Sequence, residues 1–98
     1  MKQQKLIMDS LKKLGNNTKE IYRSLFKLKI KGSRNSRTCP IAKYVAQITN
    51  TNALYCVGGS ELFVLSKGEW ESIKLPPTIT DFVAKFDKGR YKSLFVED

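Results

Sequence analysis

Ninety-eight residues hold one domain and leave no room for a second. The apolar fraction of 41% and ten aromatic side chains argue against disorder, and no apolar run approaches the roughly 20 residues of a membrane helix. The chain has no histidine, which removes the commonest general base, the commonest metal ligand and every Ser–His or Cys–His nucleophile pair, while its net charge is +9.

In chain order, Leu6-Ile7-Met8, Leu11 and Leu14 recur at helical spacing before Gly15, and predict a helix over about 3–14. Its polar start, Met1 to Asp9, does not read as a secretory signal, so a cytoplasmic protein is expected. Asn17, with Glu20 three residues on, forms a capping-box-like pair that opens a second helix over 18–28, carrying Ile21, Tyr22, Leu25, Phe26 and Leu28. The alternation in Lys27-Leu28-Lys29-Ile30-Lys31 fits either a fraying helix end or a short edge strand. These two helices invite comparison with a helix-turn-helix, but Leu11 is bulky where that motif takes a small residue, and an ordinary helical hairpin is the plainer reading.

Gly32 to Thr38 is a polar, basic loop, and Pro40 suits the first position of a third helix whose Ile41, Tyr44, Val45 and Ile48 form one apolar face. Asn50-Thr51-Asn52 ends it. Segments 53–57, 61–66 and 69–75 are rich in β-branched and aromatic residues. Gly58-Gly59-Ser60 and Lys67-Gly68 separate them at hairpin lengths, which predicts a three-stranded antiparallel meander. Thr78 with Asp81 starts a last helix, with Ile79, Phe82, Val83 and Phe86 as its apolar stripe and Gly89 as its end. The tail through Tyr91, Leu94, Phe95 and Val96 is expected to return to the core. The fold class is therefore α+β: N-terminal helices, a three-stranded antiparallel meander and a C-terminal helix packed on the sheet. Residues 1–98 form a single domain, with a basic helical half (1–49) and a meander-plus-helix half (50–98).

Charge divides the chain unevenly. Residues 1–44 carry 12 Lys/Arg against 2 Asp/Glu, whereas residues 45–98 carry 6 against 7. Such asymmetry points to an anionic partner, nucleic acid before an acidic protein surface. Arg34, Ser36, Arg37 and Thr38 gather just ahead of a helix start, whose free N–H groups and dipole attract anions. Lys27, Lys29 and Lys31 precede them and Lys43 follows. Arginine forks, hydroxyls and backbone donors are the groups that hold phosphates. The bland alternative is a solvated loop in a chain that happens to be basic.

Other constellations carry less. Cys39, beside Arg37 at a helix start, could be a reactive thiol, but a small buried hydrophobe is the better reading, and mid-strand Cys56 is read as core. Two cysteines without histidine make no ordinary zinc site. Glu69 and Glu71 with Lys74, Asp81 and Asp87 could hold magnesium for phosphodiester cleavage, but their spacing fits no nuclease signature and they read as surface carboxylates. Trp70 alternates with these glutamates and is assigned to the core. Tyr22, Tyr44, Phe63 and Phe82 sit at core periodicity, which speaks against base stacking.

Gly32-Ser33-Arg34 running into Cys39-Pro40-Ile41-Ala42-Lys43-Tyr44, and Leu75-Pro76-Pro77 through Phe82 to Phe86-Asp87-Lys88-Gly89-Arg90-Tyr91, resemble a group of small uncharacterised bacterial proteins. Those pair a Cys-Pro-Ile-Ala helix start with a Leu-Pro-Pro and Phe-Asp-x-Gly-x-Tyr ending. The resemblance spans about half of the chain. It implies that the basic loop, the cysteine and the final helix belong to one recurring unit, of a kind that travels with phages and other mobile elements. It transfers no activity. The expected function is a non-enzymatic, cofactor-free nucleic-acid-binding domain. The alternative is a protein–protein module, such as a mobile-element-encoded inhibitor or regulator of a host protein.

Overall fold

The structure, a computed structural model, describes residues 4–33, 35, 37–50 and 53–95. Helix α1 (Gln4–Lys13) buries Ile7, Ser10 and Leu11 along one stripe. Gly15 follows at φ +150°, where a side chain would run into the Cβ of Glu20. Helix α2 (Thr18–Lys27) is capped by Asn17, whose Oδ1 accepts the Glu20 N–H at 2.9 Å. The reciprocal bond reaches one residue further back than in the usual box, since Glu20 Oε1 accepts the Asn16 N–H at 2.7 Å.

The alternating stretch after α2 is neither a frayed helix nor a strand. Lys29 adopts a left-handed conformation (φ 59°), its N–H bonds the Phe26 carbonyl at 3.1 Å and the Ile30 N–H bonds that of Leu25 at 3.0 Å. This is a Schellman cap with lysine in the place glycine prefers, and buried Ile30 and Leu25 supply its hydrophobic contact. The alternation thus reflects a chain reversing direction, with Ile30 turned inward and its lysine neighbours outward.

Helix α3 (Pro40–Thr49) starts with proline at its first position and ends at Asn50 in the left-handed region. Strands β1 (Leu54–Gly58), β2 (Glu61–Ser66) and β3 (Glu69–Lys74) form an antiparallel sheet in the order β1-β2-β3. Both hairpins turn in two residues, with positive φ at Gly59 in one and at Lys67 and Gly68 in the other. Helix α4 (Pro77–Asp87) begins one residue before the expected Thr78, with Pro76 as cap and Pro77 inside, because proline at the first position presets the helical φ. A 3₁₀ turn, Lys92–Leu94, brings Leu94 into the core. Val96 lies outside the described residues.

One apolar core runs from Ile7 to Leu94. Helix α3 is the layer against the sheet, through β1, and α1 packs on α3. The C-terminal helix α4 packs chiefly against α2, while α2 also contacts the 3₁₀ turn. The reason lies in the aromatics. Phe82 and Phe86 of α4 join a stacked series in which Tyr91 lies 5.3 Å from Phe82 and 4.9 Å from Tyr22 of α2. Buried polar groups find partners within the same layers, for example the Tyr44 hydroxyl donating to the Ser10 carbonyl at 2.9 Å.

The sheet alternates as its pattern requires, but the expected side for Trp70 is wrong. Tyr55, Val57, Leu62, Val64 and Ile73 face the core. By register, Leu54, Leu65 and Trp70 form a row on the opposite face, next to Cys56, Phe63 and Ser72. Trp70 is 54% exposed, and Cys56 is half-buried rather than core. Glu69 and Glu71 share the core-side parity with Ile73, at the end of an edge strand where both remain exposed. Among the described residues, no helix is long and apolar enough to cross a membrane.

Candidate nucleic-acid interface

Between Glu20 and Glu61 the chain has no acidic residue, yet it carries Arg23, Lys27, Lys29, Lys31, Arg34, Arg37 and Lys43. The end of α2, the basic loop, α3 and β1 all fall in this window. Lys27, Lys29, Lys31, Arg37 and Lys43 are exposed, and among the described residues none of them is ion-paired. Arg34 and Ser36 lie outside the described residues.

The Schellman cap groups the first three lysines. Reversal at Lys29 opens a groove of about 630 Å³ between the end of α2 and the 3₁₀ turn, lined by Phe26, Lys27, Lys29, Ile30, Lys31, Ser93 and Leu94. Ile30 and Leu94 form an apolar floor, both buried. Phe26 stands at the wall, 55% exposed, with the Tyr22 ring behind it at 6.0 Å and 45°. Lys27 has a local task as well, because a cation in the last turn balances the dipole of α2. Lys29 and Lys31, beyond the helix, are not needed for that.

The loop is folded by its own polar groups. Ser33 N–H donates to the Thr38 carbonyl at 2.9 Å, Thr38 N–H to the Asn35 carbonyl at 3.1 Å, and Arg37 N–H to Asn35 Oδ1 at 2.9 Å. The Ser33 and Thr38 hydroxyls bond each other. Thr38 is exposed as expected, but its hydroxyl already has an internal partner. Gly32 joins loop and groove. Its N–H donates to the Leu94 carbonyl at 2.7 Å, while its α-carbon lies so close to the chain at Thr38–Pro40 that a Cβ would sit 2.6 Å from the Pro40 nitrogen. The lysine groove and the arginine loop are therefore the two sides of one tightly packed segment.

At the α3 start, the Cys39 side chain is the cap, its Sγ accepting the Ala42 N–H at 3.4 Å. Burial pushes the thiol pKa up, away from the thiolate form that a reactive cysteine presents. Lys43 projects from α3 one turn into the helix. Glu69 and Glu71 belong to the edge strand, and among the described residues no group of three or more Cys, Asp or Glu side chains is placed to hold a metal ion.

The residues sequence reasoning missed are Phe26, Ser93 and Leu94. By helical spacing Phe26 belongs with Ile21, Tyr22, Leu25 and Leu28 on the apolar side of α2. No pattern in the sequence tells that α2 ends before Phe26 is covered. No known family model matches the chain, and neither a curated protein sequence nor a solved structure matches it significantly.

Proposed function

We propose that this protein is a non-enzymatic nucleic-acid-binding domain, with Lys27, Lys29, Lys31, Arg34, Arg37 and Lys43 as its phosphate contacts and Ser36 and Thr38 assisting. The observation that carries this reading is the seven-cation stretch without a carboxylate between Glu20 and Glu61, three of whose lysines, Lys27, Lys29 and Lys31, line one groove. Cations close together in sequence without carboxylates between them cost self-repulsion, and a polyanion relieves it. Phosphate contacts of this kind give affinity with little sequence preference, because they read no base edges. A cytoplasmic setting agrees with the reduced, unpaired state of both cysteines. The likeness to mobile-element proteins remains part of the proposal.

The test is fluorescence-anisotropy binding of labelled oligonucleotides across a salt series. Six phosphate contacts give a log–log slope of about −5 on duplex DNA, and Arg34→Ala with Arg37→Ala reduces its magnitude by about 2. A slope near zero, or absence of binding at low salt, refutes the reading and makes an acidic protein surface the partner to pursue.

A further inference from the structure

Resting on that reading, we infer that the groove between the end of α2 and the 3₁₀ turn takes a single strand, with one unstacked base set against the ring of Phe26 and its flanking phosphates on Lys27, Lys29 and Lys31. The shape separates this occupant from a duplex. A duplex presents phosphates along its outside and keeps its bases stacked within, so it makes no use of a concave apolar floor. Single-strand sites combine a cationic groove with aromatic faces, and any base can stack because every base has a π-face. The groove has both parts: three lysines with no carboxylate among its described lining residues, and a phenylalanine that is 55% exposed.

Two details support a built site. The Tyr22 ring backs Phe26 at 6.0 Å, and Tyr22 is itself stacked on Tyr91 at 4.9 Å, so the exposed ring is the outer end of an aromatic series anchored in the core. Lys29 occupies a left-handed position where glycine would be the easier choice, and that conformation turns buried Ile30 inward and sends lysines to both sides of it. The other exposed aromatic, Trp70, lacks this setting: its sheet face carries one lysine, Lys74, and that stands opposite Glu61 in the register.

The experiment compares a labelled oligothymidylate of about 12 nucleotides with a duplex of the same length, on the wild-type protein and on Phe26→Ala, Phe26→Leu and Phe26→Tyr. Melting curves of each variant confirm folding. The single strand is expected to bind more tightly than the duplex. Phe26→Ala and Phe26→Leu should weaken single-strand binding about five- to hundred-fold, and Phe26→Tyr, which keeps the ring, should restore it. Duplex binding should change by no more than roughly two-fold in any of them, since it rests on the lysines. Salt-sensitive binding of both forms, indifferent to Phe26, overturns the single-strand site and leaves the basic-surface reading standing. No salt-sensitive binding to either form overturns both. An acidic peptide of equal charge carrying one phenylalanine is the competitor; if it displaces the strand as well as unlabelled oligothymidylate does, the groove is a protein-docking site and the inference fails.

Discussion

Replacing Gly32 by alanine tests the joint between groove and loop. Gly32 has no positive φ, so its need for glycine is purely one of space. An added Cβ would meet the Thr38 carbonyl oxygen and lie 2.6 Å from the Pro40 nitrogen and 2.7 Å from the Cys39 carbonyl carbon. All three are backbone atoms, which cannot rotate away as a side chain would. Restoring ordinary contact distances moves one segment by on the order of 1 Å, and overpacking of this kind costs about 1–3 kcal/mol. The displacement also strains the bonds from Gly32 N–H to Leu94 and from Ser33 N–H to Thr38, each contributing about 1 kcal/mol. Reduced entropy of the unfolded chain offsets about 0.4–1 kcal/mol. The net is a loss of about 2 kcal/mol, or a fall in Tm of about 8–16 °C for a domain of this size. Differential scanning calorimetry measures it. Gly59 is the contrast, since it sits at φ +60° with nothing within 4 Å of a Cβ. Asparagine tolerates that conformation, so Gly59→Asn should be nearly neutral while Gly32→Asn is at least as damaging as Gly32→Ala. A Gly32→Ala protein melting within about 2 °C of wild type would refute the packing argument.

Three further outcomes follow from the same structure. Lys29→Gly relieves a left-handed lysine and should raise stability by about 0.5–1 kcal/mol while weakening oligonucleotide binding through the lost charge; a variant that gains neither effect contradicts the cap. Cys56 should alkylate well before buried Cys39 in the native protein, as peptide mass spectrometry will read, and Cys39 should follow only on unfolding. Because burial raises the Cys39 pKa above its ordinary value of 9.0, its contribution to stability is complete below that pH and is lost as pH rises through the folded value. Denaturant titrations of wild type against Cys39→Ala should therefore converge at alkaline pH; a constant difference contradicts this. The single tryptophan, Trp70, should emit as a solvent-exposed indole and be quenched by iodide nearly as well as a free analogue, whereas blue-shifted, protected emission would place it in a core.

The elements of this protein were legible one at a time because each is written in local chemistry. Asn17 with Glu20 announces α2, Pro40 announces α3, and Gly58-Gly59-Ser60 and Lys67-Gly68 announce the two turns of the meander, the first of which the structure tightens to two residues by pairing Gly58 with Glu61. The charge asymmetry was equally plain, since it needs only counting. Local chemistry could not show which of two alternating faces is covered. Trp70 and the glutamates beside it are on opposite sides in either case, and only the position of α3 against β1 makes the side of Ile73 the core and leaves Trp70 outside.

The same limit applies to the candidate site. That Lys27, Lys29, Lys31, Arg37 and Lys43 would be solvent-exposed follows from the cost of burying charge. That three of them share a groove depends on a left-handed lysine, on Gly32 packed against Thr38–Pro40, and on Leu94 arriving from the far end of the chain. Composition and periodicity determined the elements and the sign of the surface, because both act within a few residues. The tertiary structure decided which faces are covered and that Phe26 stays in water, because burial depends on partners more than 60 residues away in sequence.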